Sequence, residues 1–168
     1  RSGFSKWGSF VNSVSQKKYG RPLFLVASAD LADSTNISGF AKGRDGVSDF
    51  GMYNRDTNTK GVLLPQGITE MANAGICTGI VSTNFAESQL EDFNGYYAAC
   101  STYGAFSHLK YGPMRLFSQM AQDSQFKFGK VIWVAGHSGP ETAEDGKTHF
   151  GIYSPGVTEL FPEGQVIN

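Results

Sequence analysis

The stretch LFLVASADLADSTN, residues 23–36, decides the fold class of this chain. Its first part, residues 23–27, is entirely apolar, and a run rich in Ser, Asp and Asn follows at once. A short, continuous apolar run suits a strand that is covered on both faces, as in a parallel sheet. In open parallel sheets, ligands bind at the carboxyl ends of the strands, where this polar run falls. The stretch therefore predicts a buried parallel strand that leads into a candidate site.

Helix and strand patterns alternate along the rest of the chain. Apolar periodicity predicts helices over residues 5–17 (with one face formed by Trp7, Phe10, Val11 and Val14), 69–82, 111–122 and around 156–161. Strands are predicted over residues 62–64, the first part of 96–106, 131–136 (the clearest buried strand) and from 166. The segment 39–61 is predicted to be a long loop. This alternation predicts an α/β fold with a mainly parallel sheet.

The composition limits the classes of function. The 168 residues fit one domain over positions 1–168, which we expect to be a piece of a longer chain. The net charge of −1 gives no electrostatic reason to expect nucleic acid or a membrane as partner. No apolar stretch approaches the roughly 20 residues of a membrane helix. Cys77 and Cys100 are predicted to be buried, reduced thiols, and a cytoplasmic location is favoured.

Polar clusters follow several of the apolar runs. They occupy residues 28–36, 66–70, 102–110 and 137–149. In a parallel sheet these clusters would gather at one edge and form a pocket. The chain lacks a phosphate loop, a dinucleotide fingerprint and a nucleophile elbow. A metal site between His137 and His149 is a less favoured alternative, so periodicity alone indicates an α/β domain with a polar pocket.

The sequence within these clusters is more specific. The segments are SADLADSTN (28–36), GITE (67–70), TYGAF (102–106), and VIWVAGH followed by EDGKTH (131–137 and 144–149). Taken together and in this order, they resemble the central, pyrimidine-binding domain of the transketolase family. The resemblance covers most of the chain and implies a three-layer α/β/α arrangement of the thiamine-diphosphate-binding type.

The resemblance implies a cofactor and a role for Glu70. In this family the pyrimidine domain binds the aminopyrimidine ring of thiamine diphosphate. A second domain, usually from another subunit, holds the diphosphate and its Mg²⁺ or Ca²⁺. Glu70 matches the acid that hydrogen-bonds the ring nitrogen opposite the amino group. A proton shared there favours the imino tautomer, which takes the proton from the thiazolium carbon before that carbon attacks a ketose.

Other residues match the walls of the family's cofactor and substrate pocket. Tyr103 and Phe106 would pack on the aminopyrimidine ring, and Leu109 stands where the family commonly has a third aromatic residue. Asp30 matches an acidic residue close to the cofactor. The residues implied to contact the sugar phosphate substrates are Ser34, His137, Asp145 and His149, and His149 is also expected to move protons.

The chain departs from the family in several places. The arginine of the first helix, a phosphate anchor, has no clear counterpart, since Lys6 is the nearest cation. Lys147 replaces the usual proline. The Gly-Asp-Gly segment that binds the diphosphate is not found, so the chain alone is expected to be inactive. We expect it to work with a diphosphate-binding domain from the same or another chain, in a homodimer.

Other interpretations remain open at this stage. The chain could be a non-catalytic interaction or regulatory domain that keeps the fold. It could also be the beta subunit of a 2-oxoacid dehydrogenase or part of a deoxyxylulose-phosphate-synthase-like enzyme. Without the resemblance, Glu70 would be interpreted as an exposed carboxylate in the first turn of a helix, where the helix dipole favours it.

Overall fold

A computed structural model describes residues 2–65, 67–85, 95–124, 129–137 and 149 of the chain. The helices are α1 (Ser2–Tyr19), α2 (Glu70–Ser82) and α3 (Tyr111–Asp123). The strands are β1 (Phe24–Ser28), β2 (Leu63–Leu64), β3 (Tyr97–Tyr103) and β4 (Val131–Gly136). Short 3-10 helices cover Ile37–Ala41, Thr83–Phe85 and Gly104–Lys110.

Within the described residues, the strands form one parallel sheet in the order β2-β1-β3-β4. The chain moves outward from β1 to β2 and then returns across β1 to form β3. The direction of winding therefore reverses between β1 and β3, which is the place where open parallel sheets bind their ligands. The predicted α/β fold with a mainly parallel sheet is confirmed.

Helices cover both faces of this sheet. Along β1, Phe24 and Val26 point toward α1 and the Ile37–Ala41 helix, where Phe40 completes an aromatic cluster. Ala27 points to the other face and packs with Cys77 of α2 and Phe117 of α3. This alternation follows from the two-residue period of a strand. It gives three layers, with α2 and α3 opposite α1.

Helix α1 does not bury the face that its apolar spacing indicates. Trp7 contacts the Phe24 and Phe40 rings but is 41% exposed, and Phe10 and Val14 are also exposed. The reason is a close approach at Gly8, where a Cβ atom would lie only 2.6 Å from the Phe40 ring. The helix therefore packs through its small residues, and the apolar stripe lies beside the contact.

The structure also tests the predicted burial of β4 and of the two cysteines. Strand β4 is not deeply buried: most of its residues are half-buried and Ala135 is exposed. It is the last strand on its side of the described sheet, so it has a single neighbour there. Cys77 and Cys100 are buried free thiols, as predicted.

Some predictions fall outside the described residues. These are the helix around residue 156, the strand from residue 166 and almost all of the loop 138–148. Within the described residues, no helix is long and apolar enough to cross a bilayer.

Candidate functional site at the carboxyl edge of the sheet

The segment after β1 is fastened to the end of β3 by buried hydroxyl groups. Ser101 Oγ lies 2.8 Å from Ser28 Oγ and 2.9 Å from Thr35 Oγ1. The Leu31 amide donates to Ser28 Oγ at 3.1 Å. The two Ser101 contacts join residues 66 or more positions apart in the chain. They fix the polar segment at the edge of the sheet where a ligand would bind.

The backbone at this edge is locally strained. Asp30 and Asn36, after β1, both have φ of 61°, and His137, directly after β4, has φ of 51°. Left-handed values are uncommon for residues other than glycine, although Asp, Asn and His adopt them more readily than most. Such conformations persist where the surrounding structure imposes them, and they cluster at functional sites. Asp30 and His137 are both candidate site residues.

Glu70 is a buried carboxyl group at the start of α2. It is only 6% exposed, and Thr102 Oγ1 donates a hydrogen bond to its Oε1 at 3.0 Å. Thr102 points toward α2 because it lies two residues after Cys100 on β3. No described residue hydrogen-bonds the other oxygen, Oε2. The interpretation of Glu70 as an exposed helix-terminus carboxylate is therefore wrong.

The ring-bearing candidates come together on the other side of the end of β3. The Tyr103 and His137 ring centroids are 4.0 Å apart with the planes inclined by 39°. His149 meets Tyr103 and Phe106 edge-on, at 5.6 and 5.4 Å. Four predicted site residues, separated by up to 46 positions in the sequence (149 minus 103), thus form one cluster. Both histidines make further interactions.

The remaining candidates differ in how well they are held. The Tyr103 hydroxyl lies 3.2 Å from Ser34 Oγ, so Ser34 belongs to the same group of side chains. Asp30, in the same segment after β1, is exposed. Leu109 is 53% exposed, so it would be buried only when a partner or ligand covers it. Asp145 lies outside the described residues.

Sequence reasoning missed a buried cation on the α2 side of the sheet. Lys110 ends the Gly104–Lys110 helix and is 1% exposed, and its Nζ lies 5.6 Å from the centroid of the Trp133 ring. Burial lowers the pKa of Lys110, while the charges of Cys100, Cys77 and Glu70 act in the opposite direction. Nothing in the local pattern signals this burial, because lysine is one of the residues most often exposed.

The two thiols belong to the same layer. The neighbouring Cys100 thiol and burial raise the pKa of Cys77 well above its usual value, and the Cys77 thiol lowers the pKa of Cys100. The Cys77 thiol also lies 3.7 Å from the Ala99 carbonyl oxygen. Both thiols are fully buried, so they are poorly placed to react with a substrate.

No protein-family model matches this chain, and no curated protein matches it. The case for a function therefore depends on the motifs and on the placement of the side chains that the motifs contain.

Two kinds of group that an aminopyrimidine ring would need are present among the described residues. Such a ring needs a carboxyl partner at one nitrogen and apolar or aromatic walls around it. Glu70 presents Oε2 without a described partner, while Thr102 fixes Oε1. Tyr103 and Phe106 supply aromatic side chains, and they lie on the other side of the end of β3 from Glu70. Among the described residues, no group of three His, Cys, Asp or Glu side chains could hold a metal ion.

Proposed function

We propose that this chain is the pyrimidine-binding half-site of a thiamine-diphosphate-dependent enzyme of the transketolase type. The reaction is the transfer of a two-carbon ketol unit between sugar phosphates. The observation that carries the proposal is the buried Glu70 carboxyl, held by Thr102 beside the winding reversal of a parallel sheet. A purely structural domain has no need for an acid at that place, since burying a carboxyl group is costly.

Glu70 would hold and share one proton. Thr102 fixes Oε1, so Oε2 would be the oxygen that hydrogen-bonds the ring nitrogen and holds the proton there. Burial disfavours the charged form of a carboxyl group, which suits a group that shares a proton. When bound, thiamine diphosphate supplies the electron sink for breaking the carbon–carbon bond.

The cluster at Tyr103 would orient the cofactor ring and the sugar. Tyr103 and Phe106 supply flat apolar surface, and Leu109 adds an apolar wall. His137 and His149 both contact the Tyr103 ring, where they would bind substrate hydroxyls and transfer protons. Ser34, whose hydroxyl lies 3.2 Å from that of Tyr103, would hydrogen-bond a phosphate of the substrate. Asp30 and Asp145 keep the roles that the resemblance implies.

The proposed site is completed by a partner domain. That domain holds the diphosphate and its divalent cation, and it comes from the same chain or from another subunit. We propose a homodimer for the complete enzyme, in line with the family resemblance.

The test is ketol transfer by the chain together with a diphosphate-binding domain, thiamine diphosphate and Mg²⁺. Glu70→Ala should abolish two-carbon transfer, because no other described acid faces that position, while circular dichroism shows an intact fold. Asp123→Ala, which removes an exposed acid at the end of α3, is the matched control and should retain activity. An unchanged rate in Glu70→Ala removes Glu70 from the mechanism.

The second candidate is a non-catalytic interaction domain. It is favoured by the exposed Leu109, which stands where the family commonly places a third ring-binding aromatic residue. It predicts that the unmutated chain neither binds thiamine diphosphate nor supports transfer with any diphosphate-binding domain.

A further inference from the structure

The backbone of Leu31 lies at both ends of one chain of hydrogen bonds. Its amide donates to Ser28 Oγ at 3.1 Å, and its carbonyl oxygen lies 2.6 Å from Thr35 Oγ1. Ser101 Oγ joins these two hydroxyls, at 2.8 Å from Ser28 Oγ and 2.9 Å from Thr35 Oγ1. Ser28, Thr35 and Ser101 are all buried, so the protein must satisfy the three hydroxyl groups with its own atoms.

The direction of each bond in this chain follows from the number of protons. A hydroxyl group has one proton and a carbonyl oxygen has none, so Thr35 donates to the Leu31 carbonyl. Thr35 then has no proton left for Ser101, so Ser101 donates to Thr35. Ser28 donates to Ser101 for the same reason, and its own oxygen accepts from the Leu31 amide. Every hydroxyl in the chain therefore donates once, and the Thr35 proton is directed to the Leu31 carbonyl.

The Leu31 carbonyl oxygen is occupied by Thr35. A carbonyl oxygen has two lone pairs, and the Thr35 hydroxyl and amide lie closest to it, at 2.6 and 3.0 Å. The exposed Ser34 hydroxyl is a third and more distant donor, at 3.3 Å. Ser34 Oγ also accepts from the Tyr103 hydroxyl at 3.2 Å. The Ser34 proton is thus held weakly by the protein and is available to an acceptor from outside.

We propose that Thr35 is a positioning residue, which occupies the Leu31 carbonyl so that the Ser34 hydroxyl donates its hydrogen bond to an oxygen of the substrate phosphate. Without the Thr35 hydroxyl, a lone pair of that carbonyl becomes available, and Ser34 turns its proton to it. A serine hydroxyl readily bonds a backbone carbonyl a few residues earlier, and that bond competes with one to a ligand. The phosphate as acceptor rests on the proposed function, but the competition for the Ser34 proton does not.

The first experiment follows the Ser34 hydroxyl proton in the full chain without any ligand. Its exchange with water, measured by NMR, should be fast in the wild type, because this exposed hydroxyl has no strong acceptor. In Thr35→Val, which keeps the shape of the side chain, exchange should slow by roughly 10-fold, the factor that corresponds to one ordinary hydrogen bond. Thr35→Ser keeps the hydroxyl and should keep exchange fast. Equal rates in the wild type and Thr35→Val overturn the proposal.

A second variant covers the case in which Thr35→Val fails to fold. Thr35→Val leaves the buried Ser101 proton without an acceptor, which destabilises the protein. Thr35→Val combined with Ser28→Ala and Ser101→Ala removes the whole hydroxyl chain, and replacing all the partners together by apolar groups costs less than leaving one of them unpaired. Exchange of the Ser34 proton should again be slow. Fast exchange in this variant contradicts the proposal.

Kinetics of the completed enzyme tests the phosphate. With a ketose phosphate, Thr35→Val and Ser34→Ala should each raise KM by roughly 10-fold, the scale of one hydrogen bond to a charged group, and leave kcat unchanged. With the same ketose lacking its phosphate, KM should not change. Thr35→Val should add nothing to Ser34→Ala, because it acts through Ser34. Thr78→Val is the matched control, since it removes a hydroxyl bond of 3.0 Å to the Gly75 carbonyl on α2.

These outcomes are separable from the proposed function. Slowed exchange in Thr35→Val with no ketol transfer by the completed enzyme would retain the effect of Thr35 on Ser34 and reject the transketolase reaction. Ketol transfer in which Thr35→Val raises KM equally for the two ketoses would retain the reaction and reject the role of Thr35 in binding the phosphate.

Discussion

The two faces of the sheet bury polar side chains in very different ways. On the α1 side, Asn12 is fully buried, and both ends of its amide are satisfied. Its Nδ2 donates to the Phe24 and Phe40 carbonyls at 3.1 and 3.0 Å, and its Oδ1 accepts from the Leu23 and Phe24 amides at 3.0 and 2.8 Å. On the α2 side, Glu70 and Lys110 are buried with far fewer hydrogen bonds.

The difference distinguishes a polar side chain that stabilises the fold from polar side chains that are candidates for function. Asn12 is neutral and uses all its hydrogen-bonding capacity to join α1, β1 and the Ile37–Ala41 helix, so it has nothing to offer a ligand. Glu70 keeps one oxygen without a described partner, and Lys110 makes no described ion pair. A buried group that is ionisable and incompletely satisfied is a candidate for function.

The largest expected effect is a loss of stability caused by a substitution on the α1 side of the sheet. Asn12→Ala should lower the free energy of unfolding by about 3 kcal/mol, because several buried backbone groups lose their partner at about 1–3 kcal/mol each. Activity per folded molecule of the completed enzyme should stay unchanged. Urea unfolding measures the first quantity and initial rates the second.

Gln16→Ala is the matched control for this substitution. Gln16 lies one turn further along α1 and makes no side-chain hydrogen bond within the described part of the chain, so its removal should change stability by less than about 0.5 kcal/mol. Equal losses in the two variants would show that Asn12 has no special structural role.

On the α2 side we expect a smaller effect, which falls on the reaction rate rather than on stability. Thr102→Val removes the hydrogen bond to Glu70 Oε1 and keeps the shape of the side chain. The rate of ketol transfer should fall by roughly 100-fold, as expected when a reacting group is slightly misplaced. Stability should change by only about 1 kcal/mol. A large loss of stability with an unchanged rate would show that Thr102, like Asn12, stabilises the fold and takes no part in the reaction.

The smallest expected effect is a pH dependence of the free energy of unfolding that comes from the buried Lys110. The pKa of Lys110 is lowered in the folded chain, so between that value and about 10.4 the unfolded state binds more protons. Stability attributable to Lys110 therefore rises with pH across this window, by about 1.4 kcal/mol per pH unit at most.

Comparison with Lys110→Met isolates this contribution, since the other titrating groups are present in both proteins. The unfolding free energy of the wild type minus that of Lys110→Met should increase as pH rises through the window. A difference that is flat or falls with pH would mean that Lys110 keeps its ordinary proton affinity after folding.

The sequence predicts the elements of the fold better than the contacts between them. The start of α2 at Glu70 follows from the turn residues before it and the small apolar residues after it, and β1 follows from its unbroken apolar run. The orientation of α1 could not be predicted, because the close approach at Gly8 depends on a ring 32 residues further along (40 minus 8). Periodicity cannot report such a long-range contact.

The site shows the same limit. Glu70, Tyr103 and His137 could be proposed from motifs, and all three lie at the carboxyl edge of the sheet, where Tyr103 ends β3, His137 follows β4 and Glu70 is bonded to Thr102. Lys110 could not, because its burial depends on Trp133 of β4 and on the packing of α2. The hydroxyl chain through Ser101 likewise joins segments that are distant in sequence. Local signals identify a chemical group, and only the fold shows its surroundings.

The most direct test of the central claim observes the proton between Glu70 and the cofactor ring. Thiamine diphosphate labelled with ¹⁵N at the ring nitrogen opposite the amino group is bound to the chain completed by a diphosphate-binding domain. With the wild type, the ¹⁵N shift should be that of a protonated or strongly hydrogen-bonded nitrogen, and in Glu70→Gln it should return toward the value of the free cofactor. Identical shifts in the two proteins would contradict the claim.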